Sequence, residues 1–227
     1  MCGWLVCPAS ATEWSGEGEL GFVAARGNSD TDTLNLALQF QRKTDSWRNR
    51  LRLTALRAKD SGDLNAERYT ASYKSGYNIS DKSYLFGALR YDKDKFSSLD
   101  YQASLSAGYG VQVLDDDIHS LLFEIGPGVR RAVPADPTES TETSAIGRLS
   151  TEYEWNISET ANLSNNLLVE SGSDNTFAEN ELALNVSINS RFALKLAGAV
   201  RHNTDVDPGV KKTDTLTTVN LVYSFTQ

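Results

Sequence analysis

Arg48, Arg50 and Arg52 occupy alternate positions in the stretch WRNRLRLTA, with no acidic residue between them. Residues two apart on an extended backbone point the same way. The run therefore sets three guanidinium groups in one row, an arrangement that locally favours anions. Arg68, Lys74, Arg90, Arg130, Arg148, Lys195 and Arg201 hold the equivalent polar parity further along the chain, and Glu17, Glu19, Glu124, Glu152, Glu154, Glu170 and Glu181 stand against them. A set of roughly balanced sign can pair across an interior and close it, or it can line a wet pore. Both readings stay open.

Other chemistries are poorly equipped. A Ser-His-Asp hydrolase holds an imidazole beside a serine nucleophile, and the only histidines are His119, next to the acidic turn LDDDI, and His202, with Thr204 two residues on. Catalysis is not expected. Asp30 with Asp32, Asp92 with Asp94 and Asp205 with Asp207 fall in predicted loops, where they could hold calcium or magnesium that also bridges lipopolysaccharide phosphates. Their spacing matches no complete calcium loop, and Asp is a common turn residue, so solvated loops are the plainer reading. Both cysteines, Cys2 and Cys7, precede the body of the chain, which excludes a zinc site or disulfide framework there; no cofactor is expected. A net charge of -8 with scattered basic residues argues against nucleic acid.

The elements that must position these charges have period 2. Leu34, Leu36, Leu38 and Phe40 alternate with Asn35, Ala37, Gln39 and Gln41, and Leu182, Leu184, Val186 and Ile188 alternate with Glu181, Ala183, Asn185 and Ser187. This is the strand period. Turn signals divide the chain into about twelve such segments, near residues 14–25, 32–42, 47–58, 66–77, 84–92, 99–113, 119–131, 143–155, 161–171, 177–188, 191–202 and 214–225. Most reach the roughly 9 to 11 residues that a tilted membrane strand needs. No apolar run approaches the roughly 18 residues of a spanning helix.

Two further regularities favour a barrel. Connections after even segments are short, down to Asn189-Ser190, whereas those after odd segments run longer and more acidic, as between two different compartments. Large aromatics gather at the short-turn end: Trp14, Phe40, Trp47, Tyr77, Tyr84, Tyr153, Trp155, Phe192, Tyr223 and Phe225, with a sparser set, Tyr69, Tyr91, Tyr101 and Phe177, toward the other rim. Rings of aromatics at two levels suit the headgroup boundaries of a bilayer. The expected fold is a single up-and-down antiparallel transmembrane β-barrel of about twelve strands over residues 14–227. Residues 1–13 read either as the tail of a secretory signal, with Ala9-Ser10-Ala11 before a cut, or as a disordered N-terminus. A soluble β-sandwich is the alternative, because alternation alone does not say which face meets water.

The ending TLTTVNLVYSFTQ resembles the C-terminal assembly signal of bacterial outer-membrane barrels, in Val219, Leu221, Tyr223 and Phe225; Thr226 and Gln227 after the aromatic depart from it. The hairpin WSGEGELGFVAARGNSDTDTLNLAL, followed by WRNRLRLTA and ERYTASYKSGYNISDKSYLFGALRYDKDKFSSLDYQASLSAGYG, resembles the salt-induced outer-membrane protein family over about residues 14–225. The resemblance implies an outer-membrane location in a Gram-negative bacterium. The expected partners are outer-membrane lipid, lipopolysaccharide, the barrel-assembly machinery and small ions or solutes. The expected role is a small porin-like channel or a stress-related envelope barrel, conducting or purely structural.

Overall fold

The computed structural model describes residues 12–25 and 31–226. Residues 1–11, 26–30 and 227 lie outside the described residues, and with them the signal-peptide reading, Asp30 of one aspartate pair and the last residue of the C-terminal stretch. Twelve strands follow in order: β1 (Glu13–Ala25), β2 (Thr31–Lys43), β3 (Trp47–Asp60), β4 (Asp63–Asn78), β5 (Ser83–Asp94), β6 (Leu99–Asp115), β7 (His119–Pro134), β8 (Glu142–Ser158), β9 (Ala161–Gly172), β10 (Thr176–Ser187), β11 (Phe192–Asn203) and β12 (Thr213–Thr226). Each pairs antiparallel with its sequence neighbours, and β1 pairs with β12 from Ser15↔Thr226 to Gly21↔Asn220. The sheet closes and leaves no edge strand, which is the condition for placing a sheet in hydrocarbon.

Closure turns the apolar rows outward. Leu36, Leu38, Leu89, Leu105, Leu194, Leu196 and Leu221 are all exposed on the outer wall, whereas Glu124, Glu170, Arg130 and Lys195 are buried within. A soluble sandwich would show the reverse. No helix among the described residues is long and apolar enough to cross a membrane.

The start of β1 and the finish of β12 lie at one end of the barrel, the near end, together with the turns after β2, β4, β6, β8 and β10. At the far end the sorting of loop lengths is weaker than the sequence implies. β3 and β4 continue to Asp60 and Asp63, so the acidic stretch KDSGDLN is nearly all strand around a two-residue turn. Ser61 (φ 53°) and Gly62 (φ 91°) both sit in the left-handed region, the conformation whose twist matches a two-residue hairpin. Long far-end loops remain after β7 and β11.

Candidate functional site: the charged lumen

Inward residues come from the polar parity of each strand, and the register decides which of them meet. In the middle of the lumen Glu124 is fully buried. Its Oε1 accepts from Lys74 Nζ (2.7 Å), its Oε2 from Arg148 Nη1 (2.9 Å) and Ser150 Oγ (3.0 Å), and the Tyr84 hydroxyl also donates to it. Lys74 donates as well to Glu152 Oε1 (2.8 Å), whose Oε2 accepts from Arg50 Nη1 (2.6 Å). Five charges from β3, β4, β7 and β8 thus form one bridge, Arg50–Glu152–Lys74–Glu124–Arg148. Charges this deep tolerate burial only when paired and hydrogen-bonded.

Three further clusters line the lumen. Toward the far end, Asp92 lies between Arg90 (2.5 Å) and Arg201 (2.9 Å) and accepts from Thr70 (2.8 Å), while Glu179 bridges the same two arginines at 3.0 Å each. The ring of Phe177 packs beneath both guanidinium groups at 5.2 and 5.1 Å. Arg68 joins Asp94 and Asp214 at this level. Near the β1–β12 seam, Lys195 meets Glu19 (3.2 Å) and Glu181 (2.9 Å), and Asn220 donates to Glu19. Arg130 is clamped by Asp174 (2.9 Å) and the Asn175 carbonyl (2.6 Å), and Ser104 donates to Glu170.

The row Arg48, Arg50, Arg52 is therefore not one anion track. Arg50 is tied to Glu152, and Arg52 lies 3.7 Å from Glu19 beside Gln39. Arg48 alone of the three has no carboxylate partner among the described residues. Glu17 and Glu154 keep the inward parity but are exposed toward the near end.

Several readings need correction. Tyr84 does not join the outward aromatics: it is 1% exposed and lies inside, with the Arg48 guanidinium 4.2 Å from its ring centroid. Gly76 and Gly110 make room for it, since a Cβ on Gly110 would stand 2.4 Å from the ring and one on Gly76 2.8 Å. Phe177 likewise points inward rather than to the far rim. Asp92 and Asp94 are lumen residues held by arginines, not loop ligands for a cation. Asp92, Asp94, Glu179, Asp214, Phe86 and Phe177 were missed as lumen residues, although on β5 parity with Arg90 already marks Phe86 and Asp92.

The other aromatics do lie outward at the near end. Trp14, Phe40, Trp47, Tyr77, Trp155, Phe192, Tyr223 and Phe225 are exposed there, with Trp47 edge-on to Tyr77 (5.1 Å) and Phe192 against Tyr223 (5.3 Å). Tyr153, half-buried, bonds to His119 Nδ1 at 3.0 Å, and Trp155 stacks on the same imidazole. His202 sits at the opposite end, 2.8 Å from the Thr213 hydroxyl. In the C-terminal strand Val219, Leu221, Tyr223 and Phe225 form one outward row.

Two cavities occupy the lumen. The larger, about 1270 Å³, opens among the far-end loops and reaches down to Glu19, Arg50, Lys74 and Glu152. The smaller, about 610 Å³, opens at the near end beside Lys43, Arg48 and Tyr84. Arg50 and Lys74 line both, so the central bridge is where the two meet.

Residues 18–225 match the family model "Protein of unknown function, DUF481". The chain belongs to the DUF481 family. The uncharacterized protein YdiY of Escherichia coli (strain K12) is 33% identical over 221 residues, covering 96% of this chain and 86% of YdiY. Among solved structures, the NanC porin overlays with a TM-score of 0.52 at 10% identity, covering 96% of this chain and 98% of NanC. The translocator domain of the autotransporter NalP from Neisseria meningitidis gives 0.50 at 12% identity, with 94% and 87% covered. At such identities the shared property is the fold: this DUF481 protein is a closed, twelve-stranded antiparallel barrel of the outer-membrane kind.

Proposed function

We propose that this DUF481 protein is a small outer-membrane channel, inserted in the Gram-negative outer membrane with its near end in the periplasm and its longer loops outside. The observation that carries the reading is the pair of cavities entering from opposite ends and meeting at Arg50 and Lys74. A barrel serving only as a wall fitting has no need of two vestibules each large enough for many waters. The outward leucine rows contact acyl chains, and the near-end aromatics sit at the headgroup level. Lipopolysaccharide surrounds the far end, and the row Val219–Phe225 is the part offered to the barrel-assembly machinery. The resemblance to salt-induced outer-membrane proteins adds raised expression under salt stress, which a transcript measurement would check.

The central bridge sets the size limit. Small ions and hydrophilic solutes pass where Arg50, Lys74 and Glu152 leave a wet path, while larger solutes stop in the far cavity. Insertion of the purified barrel into planar bilayers tests this directly. Small, stable conductance steps that grow when Arg50→Ala and Glu152→Ala are combined support the channel. A correctly folded, inserted barrel that stays electrically silent, with and without those changes, would replace it with a non-conducting envelope barrel.

A further inference from the structure

Two pairs of like charges face one another directly across the β2–β3–β4 ribbon. Lys43 is opposite Arg48 between β2 and β3, and Arg50 is opposite Lys74 between β3 and β4. Directly opposed like charges weaken a ladder unless a counter-charge sits between them. For Arg50 and Lys74 that counter-charge is Glu152, whose two carboxylate oxygens take one cation each, at 2.6 and 2.8 Å. For Lys43 and Arg48 no carboxylate among the described residues comes within 4 Å of either cation, although Glu13 stands opposite Lys43 on β1.

Neutral groups hold Arg48 instead. Its Nε donates to Asn78 Oδ1 at 3.0 Å, and its guanidinium lies over the Tyr84 ring. Asn78 is in turn fixed by its own donation to the Asp45 carbonyl at 2.9 Å. The terminal Nη groups of Arg48 have no partner among the described residues, and neither has the Lys43 ammonium. Both side chains line the near cavity of about 610 Å³. Every other cation named above in the lumen lies within 4 Å of a carboxylate.

We propose that Lys43 and Arg48 form a binding site for a small carboxylate or like-shaped oxyanion, seated between them as Glu152 is seated between Arg50 and Lys74. The planar guanidinium offers a fork of parallel donors that fits two oxygens of such an anion. Its orientation is set in advance by Asn78 and Tyr84, which lowers the ordering cost of binding. Asp45, Asp81 and Asp115 line the same cavity and disfavour ligands with several negative charges, so the site takes small anions of low charge. The site opens at the near end and does not depend on whether the lumen conducts.

The test uses the full chain in detergent micelles with 15N-labelled arginine. The Arg48 Nε–Hε resonance is assigned by its absence from Arg48→Gln, and sodium acetate is titrated against sodium chloride at equal ionic strength. The site requires a saturable shift of that resonance with acetate, weakened about tenfold by Lys43→Gln, which removes one of two charge-assisted contacts. Lys43→Glu supplies the missing carboxylate within the chain, so it abolishes the acetate response while the barrel stays folded, as judged by its gel mobility before and after heating. A linear drift shared equally by acetate and chloride, or an acetate affinity unchanged in folded Lys43→Glu, overturns the proposal. Electrical silence in a bilayer would count against the channel and leave this site standing.

Discussion

The middle and far parts of the lumen and its near mouth carry the same kinds of charge and treat them in opposite ways. Around Asp92 and Glu124 every cation is paired with at least one carboxylate, and each carboxylate takes two or more donors. At the near mouth Lys43 and Arg48 stand opposite each other with only an amide and a phenol ring to steady the arginine. The difference follows depth. Glu124 and Asp92 are 0% and 5% exposed, so an unpaired charge beside either would be stranded away from water, whereas Lys43 is exposed and water can solvate it. Pairing is enforced where desolvation is severe and optional where it is not, and the optional region is where a ligand can bind.

Removing Glu124 breaks the comparison most sharply. Glu124→Ala leaves Lys74 with one carboxylate and Arg148 with none, so a loss of about 3–5 kcal/mol is expected, the usual result of truncating one side of a buried ionic network. Urea unfolding of the protein from lipid vesicles measures it. Asp92→Asn attacks the other cluster and should cost about 3 kcal/mol, since Arg90 and Arg201 still share Glu179. At the mouth, Arg48→Gln removes one hydrogen bond and one ring contact and should cost about 1 kcal/mol. If Arg48→Gln costs as much as Asp92→Asn, depth is not what separates the two regions.

Between these extremes lies the cradle under Tyr84. Gly110→Val places a side chain where the ring now lies, and the ring carries both a bond to Glu124 and the platform for Arg48. Overpacking of this kind costs about 1–3 kcal/mol. Because it disturbs the central bridge and the mouth together, it should lower the urea midpoint and also broaden the Arg48 Nε–Hε signal. A change in only one of the two would show that Tyr84 does not couple them.

How far these features are legible in the sequence depends on the range of the interaction. All twelve strands follow from local alternation, because one wall of every strand meets a single kind of environment. Tyr84 escapes local alternation: in YLFGALRY both parities carry large apolar groups, Tyr84 and Phe86 on one and Leu85 and Leu89 on the other, so alternation alone does not pick a face. What decides is the absence of side chains at Gly76 and Gly110 on neighbouring strands, which is a matter of register. The pairings of Arg50 with Glu152 and Lys195 with Glu19 lie still further out, 102 and 176 residues apart, and depend on barrel diameter and stagger. The acidic stretch KDSGDLN looked like a loop because turns and far-end strand tips share the same polar residues, and only the left-handed Ser61-Gly62 pair marks the actual turn.

The smallest expected effect concerns the near end alone. In the β6–β7 turn the Asp116 carboxylate accepts the backbone N–H of His119 (2.7 Å) and of Ile118 (2.9 Å), and these bonds hold its pKa below the ordinary carboxylate range. A carboxyl whose pKa is lowered on folding adds stability above its unfolded value, about 3.9, and that contribution fades as pH falls through the lower folded value. Asp116→Ala should therefore unfold slightly earlier in urea than the parent protein at neutral pH, with the two curves converging in strong acid. The group is fully exposed, so the gap should fall below every change described for the buried clusters. A gap that persists unchanged into strong acid would mean that the turn depends on side-chain shape and not on the charge of Asp116, and it would remove charge as the common cause of the differences between the mouth and the interior.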